Sequence, residues 1–547
     1  MILQFSTYLL SLSIFLPMLS FGQIFDERYE DWPQELKING KVVIAGDLKN
    51  RSILKNLISE KERSLSTGLL IGNKVEETQL VEWKSLFTED QTTLQIVEEL
   101  NIATLQKALT DHRIVVIDKK NALTEGEKKA LQEAQKDFMK FIAHRGILIA
   151  LGESAEIVST FYLKKNEKRS EVLPGLNLIP NALVQTAYKD KLERKDLLSA
   201  LAKHPRSVGI GLEPNTALLL SGRKISVAGS GTATFLLAAN DRVAPRVQTL
   251  TSRQQRRSRN PESVLLDLTQ WRRDAIDRTL AEFPAAKPRT PLVEEGTLII
   301  VGGGRTPAGL SRKMVELAGG VEKARLVYIP CAEEDSVSTR QNTVLSWKRM
   351  GVKHATYLHT KDRNQANTDE DFLEPLKNAT GIYFGGGRQW NFSDSYYGTK
   401  AHQLMKDVLK RGGVIMGSSA GASIQGRYLA RATPISNYKI MAFGYERGGL
   451  GFLDGVAIDQ HFSERGRHKD MTSLVAKYPQ LLGIGLDETT AIIVRKSKAE
   501  VVGKGQVFFF DRTNQPKPKQ PDYISLPAGS EFDLATRKVI KDTTKKK

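Results

Sequence analysis

Between residues 296 and 487 the apolar positions fall into short runs: TLIIV (297–301), ARLVYI (324–329), ATYLH (355–359), GIYF (381–384), GVIM (413–416), VAID (456–459) and GIGLD (483–487). Runs this short, rich in β-branched residues, predict strands. Between them, SRKMVELA (311–318), NTVLSWKRM (342–350) and AHQLMKDVLK (401–410) repeat their apolar residues at helical spacing. The alternation predicts an α/β fold, a mainly parallel sheet covered by helices on both faces. Such sheets take ligands at the carboxyl ends of their strands, where glycines cluster after TLIIV, GIYF and GVIM.

The same pattern occurs twice. KDLLSALAKHPRSVGIGLEPNTALLL (195–220) matches KDMTSLVAKYPQLLGIGLDETTAIIV (469–494) without a gap, at an offset of 274 residues that places Lys195 opposite Lys469. That offset holds from Asn177 opposite Gly451 to Leu236 opposite Phe510. Upstream, GKVVIAGDLKN (40–50) pairs with GTLIIVGGGRT (296–306), RIVVIDKKN (113–121) with GIYFGGGRQ (381–389), and HRGILIALGESAE (144–156) with KRGGVIMGSSAG (410–421). Two copies of one domain are expected, at 23–285 and 290–547, joined by the proline-rich EFPAAKPRTPLVEEG (282–296). At 547 residues and roughly 150 residues per domain, the length agrees.

Charge and cysteine content narrow the classes. The net charge of +18 comes from lysine and arginine spread along the chain, with clusters only at RQQRRSR (253–259) and KDTTKKK (541–547). Without an aromatic-interleaved basic motif this is a solvated surface, and no nucleic-acid partner is expected. Residues 1–22 form an apolar stretch ending in Ser20 and Gly22, a signal peptide cut before Gln23, so export to the periplasm or medium is expected, with no membrane span after cleavage. Cys331, the single cysteine, follows a strand and reads as buried; no Cys/His spacing implies a metal, and no cofactor is expected.

GSSAG (417–421) follows the strand GVIM and precedes the helix-compatible ASIQGRYLA, the context of a nucleophile elbow in which Ser419 stands exposed between glycines. A serine needs a base, and His461, directly after VAID, lies at the right sheet edge. The first copy keeps Ser154 in GESAE but has Glu156 in place of the second glycine, Ala187 opposite His461 and Pro214 opposite Glu488. Joint loss of these positions, while apolar ones persist, points to Glu488 as the acid orienting the imidazole, with Glu446 and Asp459 as alternatives. For the oxyanion the candidate donors are the backbone N–H of Ala420 and of Gly386 or Gly387 in GGGRQ, where the first copy has Asp118 and Lys119. The run VGGGRTPAG (301–309) lacks GxGxxG spacing and is not read as a nucleotide site.

With GSSAGA, GGGRQ, DQHFSERGR and GIGLDETTA in this order, residues 295–510 resemble the cyanophycinase and dipeptidase E family of serine peptidases. The resemblance implies two tandem flavodoxin-like three-layer sandwiches of the class I glutamine amidotransferase type, the first a degenerate copy. It implies Ser419 as nucleophile, His461 as base, and hydrolysis of peptide or isopeptide bonds beside an aspartyl residue. By motif position, Gln389, Asp459, Gln460, Arg465 and Arg467 would line the substrate site. Two departures alter charge there: Asp470 stands where cyanophycinases carry a basic residue, and Arg388 where they carry an acidic one. Family members of this type pair as dimers, so either a homodimer or a pseudo-dimer of the two fused copies is expected. Two other readings compete, an esterase sharing GxSxG and a binding protein without activity.

Overall fold

The computed structural model describes residues 32–33, 36, 38–65, 67–70, 77–87, 94–97, 99–118, 122–165, 170–189, 191–257, 266–333, 336–513 and 520–544. The segment read as a signal peptide lies outside the described residues. Among those described, no helix is long and apolar enough to cross a membrane.

In the second half five parallel strands run in the order His354–Tyr357, Arg325–Ile329, Gly381–Phe384, Val414–Ser418, Val293–Val301. Antiparallel strands Thr490–Lys496, Lys498–Gly503, Glu531–Asp533 and Lys538–Lys541 extend the sheet beyond Val293–Val301. Its two faces are filled by alternate residues of the same strands, as strand geometry requires. Ile299, Val301, Val414 and Met416 pack on Met314 and Trp347 of the helices Leu310–Leu317 and Asn342–Arg349. Leu298, Ile300 and Ile415 pack on Leu373, Met405 and Val408 of the helices Glu370–Lys377 and Lys400–Lys410.

The expected single sheet is in fact two. VAID and GIGLD belong to a smaller sheet, Gly426–Tyr428, Leu453–Gln460 and Leu482–Leu486 in parallel, then Gln506–Phe510 and Ile524–Pro527 antiparallel. Ile458 and Ile484 of this sheet share one core with Leu298 and Ile415 of the larger one. Short buried strands of either sheet look alike in sequence, because each is apolar on both faces.

The first half repeats this order. Leu94–Val97, Thr67–Leu70, Ile114–Ile117, Ile147–Leu151 and Lys41–Ala45 are parallel, followed by antiparallel Thr216–Ser221, Lys224–Gly229 and Leu266–Asp267. Its second sheet holds parallel Ser159–Lys165, Ile179–Gln185 and Val208–Leu212, with antiparallel Thr232–Leu237 and Arg246–Thr251 beside the last.

Candidate active site

Strand Val414–Ser418 ends at Ser419, whose φ of 54° and ψ of −113° turn the chain at once into the short helix Ala420–Ser423. A side chain at positive φ is strained by about 1–3 kcal/mol and persists only where surroundings fix it. Here the Ser419 N–H is held by the Val301 carbonyl at 3.1 Å. Gly421 allows the turn: a β-carbon there would lie 2.2 Å from the Phe384 carbonyl oxygen.

His461 leaves the smaller sheet at the end of Leu453–Gln460, also at positive φ, its N–H bonded to the Gly302 carbonyl at 2.7 Å. Ser419 Oγ and His461 Nε2 are 2.9 Å apart, and His461 Nδ1 and Glu488 Oε1 are 2.5 Å apart. A carboxylate only accepts, so Nδ1 carries the proton and Nε2 accepts from the serine hydroxyl. Burial pushes the His461 pKa below its ordinary value; the Glu488 hydrogen bond opposes this, and the charges of Arg465 and Arg467 add to the depression. The imidazole is therefore neutral at neutral pH, the form that can take a proton. Of the alternative acids, Glu446 accepts from the Tyr428 hydroxyl at 2.8 Å and Tyr478 at 3.3 Å, and Asp459 is committed elsewhere.

The glycine run 302–304 belongs to this site. A β-carbon at Gly303, where φ is +106°, would lie 2.3 Å from His461 Cε1, and one at Gly304 would lie 3.0 Å from Glu488 Oε2. These glycines let the backbone floor both partners of the serine, and Thr489 N–H bonds the Gly303 carbonyl at 2.9 Å. Sequence reasoning tested the run only as a nucleotide loop and missed this; its position after the strand beside Val414–Ser418 was the available signal. Gly386 lies against the serine, a β-carbon there standing 3.5 Å from Ser419 Cβ. Gly387 packs instead on the Ala332 carbonyl, 2.2 Å from such a carbon.

The five side chains expected at the substrate site separate. Asp459 is 1% exposed, bound by Arg431 Nε at 2.9 Å, Arg431 Nη2 at 2.5 Å and Arg467 Nη1 at 2.7 Å. Arg467 is buried with it and also donates to the Gln460 carbonyl at 2.6 Å. Both belong to a buried ion network with Arg431, where a buried charge is held by its counter-charge. Gln389 is buried, donating to the Arg431 carbonyl at 3.2 Å; Gln460 is buried, with no hydrogen-bond partner for Oε1 among the described residues. Arg465 alone of the five is exposed. Arg431 was not anticipated: it sits in the hairpin Arg431–Thr433/Ser436–Ile440, which no motif marks. It also pairs with Asp470 at 3.0 Å, so the acid standing in place of a base has a cation of its own.

The first half lacks these groups, and one expected correspondence is corrected. Val301 pairs with Ser418 as Ala45 pairs with Leu151, and Gly152 N–H bonds the Ala45 carbonyl at 2.9 Å. The counterpart of Ser419 is therefore Gly152, with φ 60° and ψ −133°, and not Ser154. GESAE matches the first three positions of GxSxG two residues out of register. Ser154 is 1% exposed, and its Oγ has no hydrogen-bond partner among the described residues.

Comparison with known proteins bears on this geometry. Residues 298–502 match the family model of peptidase family S51. A cyanophycinase from Geminocystis herdmanii (strain PCC 6308) is 31% identical over 216 residues, 38% of this chain and 79% of that protein. The chain belongs to peptidase family S51. It is a serine-type peptidase. A second cyanophycinase, from Trichormus variabilis (strain ATCC 29413 / PCC 7937), is 27% identical over 242 residues, 43% of this chain and 79% of that protein. The solved structure of a peptidase from an acI-B1 Actinobacterium is 23% identical, covers 45% of this S51 chain and 98% of its own, and has a TM-score of 0.33.

Proposed function

We propose that this S51 peptidase cleaves a peptide or isopeptide bond next to an aspartyl residue, with Ser419 as nucleophile, His461 as general base and Glu488 as the orienting acid. The observation that carries the reading is the continuous relay from Ser419 Oγ to His461 Nε2 at 2.9 Å and from Nδ1 to Glu488 at 2.5 Å. His461 takes the hydroxyl proton as Ser419 Oγ attacks the carbonyl; the imidazolium, balanced by Glu488, then protonates the leaving amine. Water repeats the cycle and frees the acyl product. The developing oxyanion is received by the backbone N–H of Ala420 and by the loop Gly386–Gly387. The aspartyl preference is what the motif resemblance to cyanophycinases implies, and the exposed Arg465 beside the imidazole suits a carboxylate. The first half is read as a degenerate copy without hydrolytic capacity, since Gly152, Ala187 and Pro214 stand where the second half has its three catalytic groups.

A panel of α- and β-linked aspartyl dipeptides, with glutamyl and alanyl controls, tests the substrate class. Turnover confined to aspartyl peptides and lost in Ser419→Ala is expected; equal turnover of alanyl peptides would refute the aspartyl preference. Export is part of the proposal, resting on the apolar segment 1–22. Mature protein isolated from the source cells should begin at Gln23, and an intact Met1 in cytosolic protein would reject it.

A further inference from the structure

The loop at the catalytic serine runs straight into the helix Gln389–Tyr396, and that helix is gripped from the other half of the molecule. Asp394, on its last turn, is bound through Oδ2 by Nη1 of Arg223 and through Oδ1 by Nη1 of Arg273. Both guanidinium groups belong to the first half. Arg223 lies on the turn before strand Lys224–Gly229 and Arg273 on helix Leu268–Asp277. Arg223 also pairs with Asp267 at 2.7 Å, donates to the Tyr445 hydroxyl at 2.5 Å, and stands 5.9 Å from the ring of Trp390, the second residue of the gripped helix. Arg273, 2% exposed, is stacked between Trp32 at 4.1 Å and Tyr445 at 4.8 Å.

From the second half the Tyr445 hydroxyl stands 3.4 Å from Asp394 Oδ2, and the nearby Arg363 donates to the backbone carbonyls of Ser393 and Asp394. A largely buried carboxylate needs a paired cation, and here the first half supplies both. Asp394 is five residues from Gln389, about 7.5 Å along the helix axis, and three residues earlier a β-carbon at Gly386 would stand 3.5 Å from Ser419 Cβ. An error at Asp394 thus reaches the oxyanion loop through one rigid element.

We propose that Arg223 and Arg273, acting through Asp394, are positioning residues that hold the helix Gln389–Tyr396 so that the loop Gly385–Gly387 stays at the catalytic serine. The degenerate half is retained as a positioning subunit for the oxyanion site of the active one. This rests on the reading of Ser419 as nucleophile. Its effect falls on the transition state, because the loop meets charge that develops only there.

The test uses the full chain and an aspartyl p-nitroanilide. Asp394→Asn and Arg273→Gln should each lower kcat at least about tenfold with KM changed less than about twofold, at a temperature where circular dichroism shows both folded. Asp394→Glu, which keeps the charge, should recover most of the rate, and the double variant Asp394→Asn/Arg273→Gln should be no slower than Asp394→Asn alone, since that substitution already removes the pairing with Arg273. A folded Asp394→Asn protein with kcat within twofold of the parent would overturn the inference. If Asp394→Asn fails to fold, Arg223→Gln and Arg273→Gln are assayed in its place, and a kcat within twofold of the parent in both overturns it equally. Ser419→Ala separates the two levels: residual hydrolysis in that variant refutes the catalytic reading itself, whereas its loss alongside an unaffected Asp394→Asn refutes only the positioning role.

Discussion

Gly303 carries as much consequence as any of the charged groups around it. A β-carbon there would fall within 2.3 Å of the His461 ring, and the left-handed φ of +106° adds strain to any substitution. Gly303→Ala should therefore move the imidazole and reduce kcat/KM by about 10²-fold, the scale on which misplacement by an ångström costs an enzyme. Activity within threefold of the parent would show that the ring has room to spare. Glu488→Gln keeps the shape but reverses the demand on Nδ1, and its loss should be on the order of 10³–10⁴ in kcat. The pH profile follows from Arg465, whose charge helps hold His461 below its ordinary pKa. A lowered pKa keeps the base neutral to lower pH, so Arg465→Gln should move the acid limb of kcat/KM to higher pH; a limb shifted downward would contradict the assignment. Cys331, with its thiol pushed up to about 11 by burial, should resist alkylation in the native protein, as mass measurement after iodoacetamide would reveal.

At the scale of elements, the meeting of Ser419, His461 and Glu488 was legible because each sits where an apolar run stops and the first half differs at the matching position. Gly303 was not, since the glycine run gives no sign of which side chain lies over it. Arg431 was illegible for another reason: its partners Asp459 and Asp470 are 28 and 39 residues away, and only folding brings them together. The first-half elbow misled because a local match to GESAE outweighed strand register, which a one-dimensional alignment does not contain. Both sheets were seen as strands, but their division was hidden by burial on both faces. The elbow correction has its own test. Gly152→Ser, made in a Ser419→Ala background, restores the hydroxyl but faces Ala187 instead of an imidazole, so the aspartyl p-nitroanilide should remain uncleaved. Measurable turnover would mean that the first half still holds a working base.

For the whole molecule, the contact between halves is built around charge. Arg273 and Arg223 hold the Asp394 carboxyl below the ordinary carboxylate range against the opposing effect of burial. A depressed folded-state pKa contributes stability above the free value of 3.8 that is lost as pH falls through the lowered one. Thermal midpoints followed from pH 6 downward should fall below about pH 3.8, and Asp394→Asn should flatten part of that fall; an identical slope in the variant would remove Asp394 from the linkage. Further contacts tie the same surface together, among them Arg447 on Asp277 at 3.3 Å, Gln270 Nε2 on the Phe443 carbonyl at 2.9 Å and the rings of Trp32 and Tyr397 at 4.4 Å.

The central claim is that one serine in this chain is activated, and active-site labelling addresses it most directly. A fluorophosphonate reacts with a hydroxyl only where a base and an oxyanion site stand beside it. Treated full-length protein, digested and mapped by mass spectrometry, should carry one adduct, on Ser419, absent from the His461→Ala variant. An adduct on Ser154, or an unlabelled Ser419 in folded protein, would contradict the account.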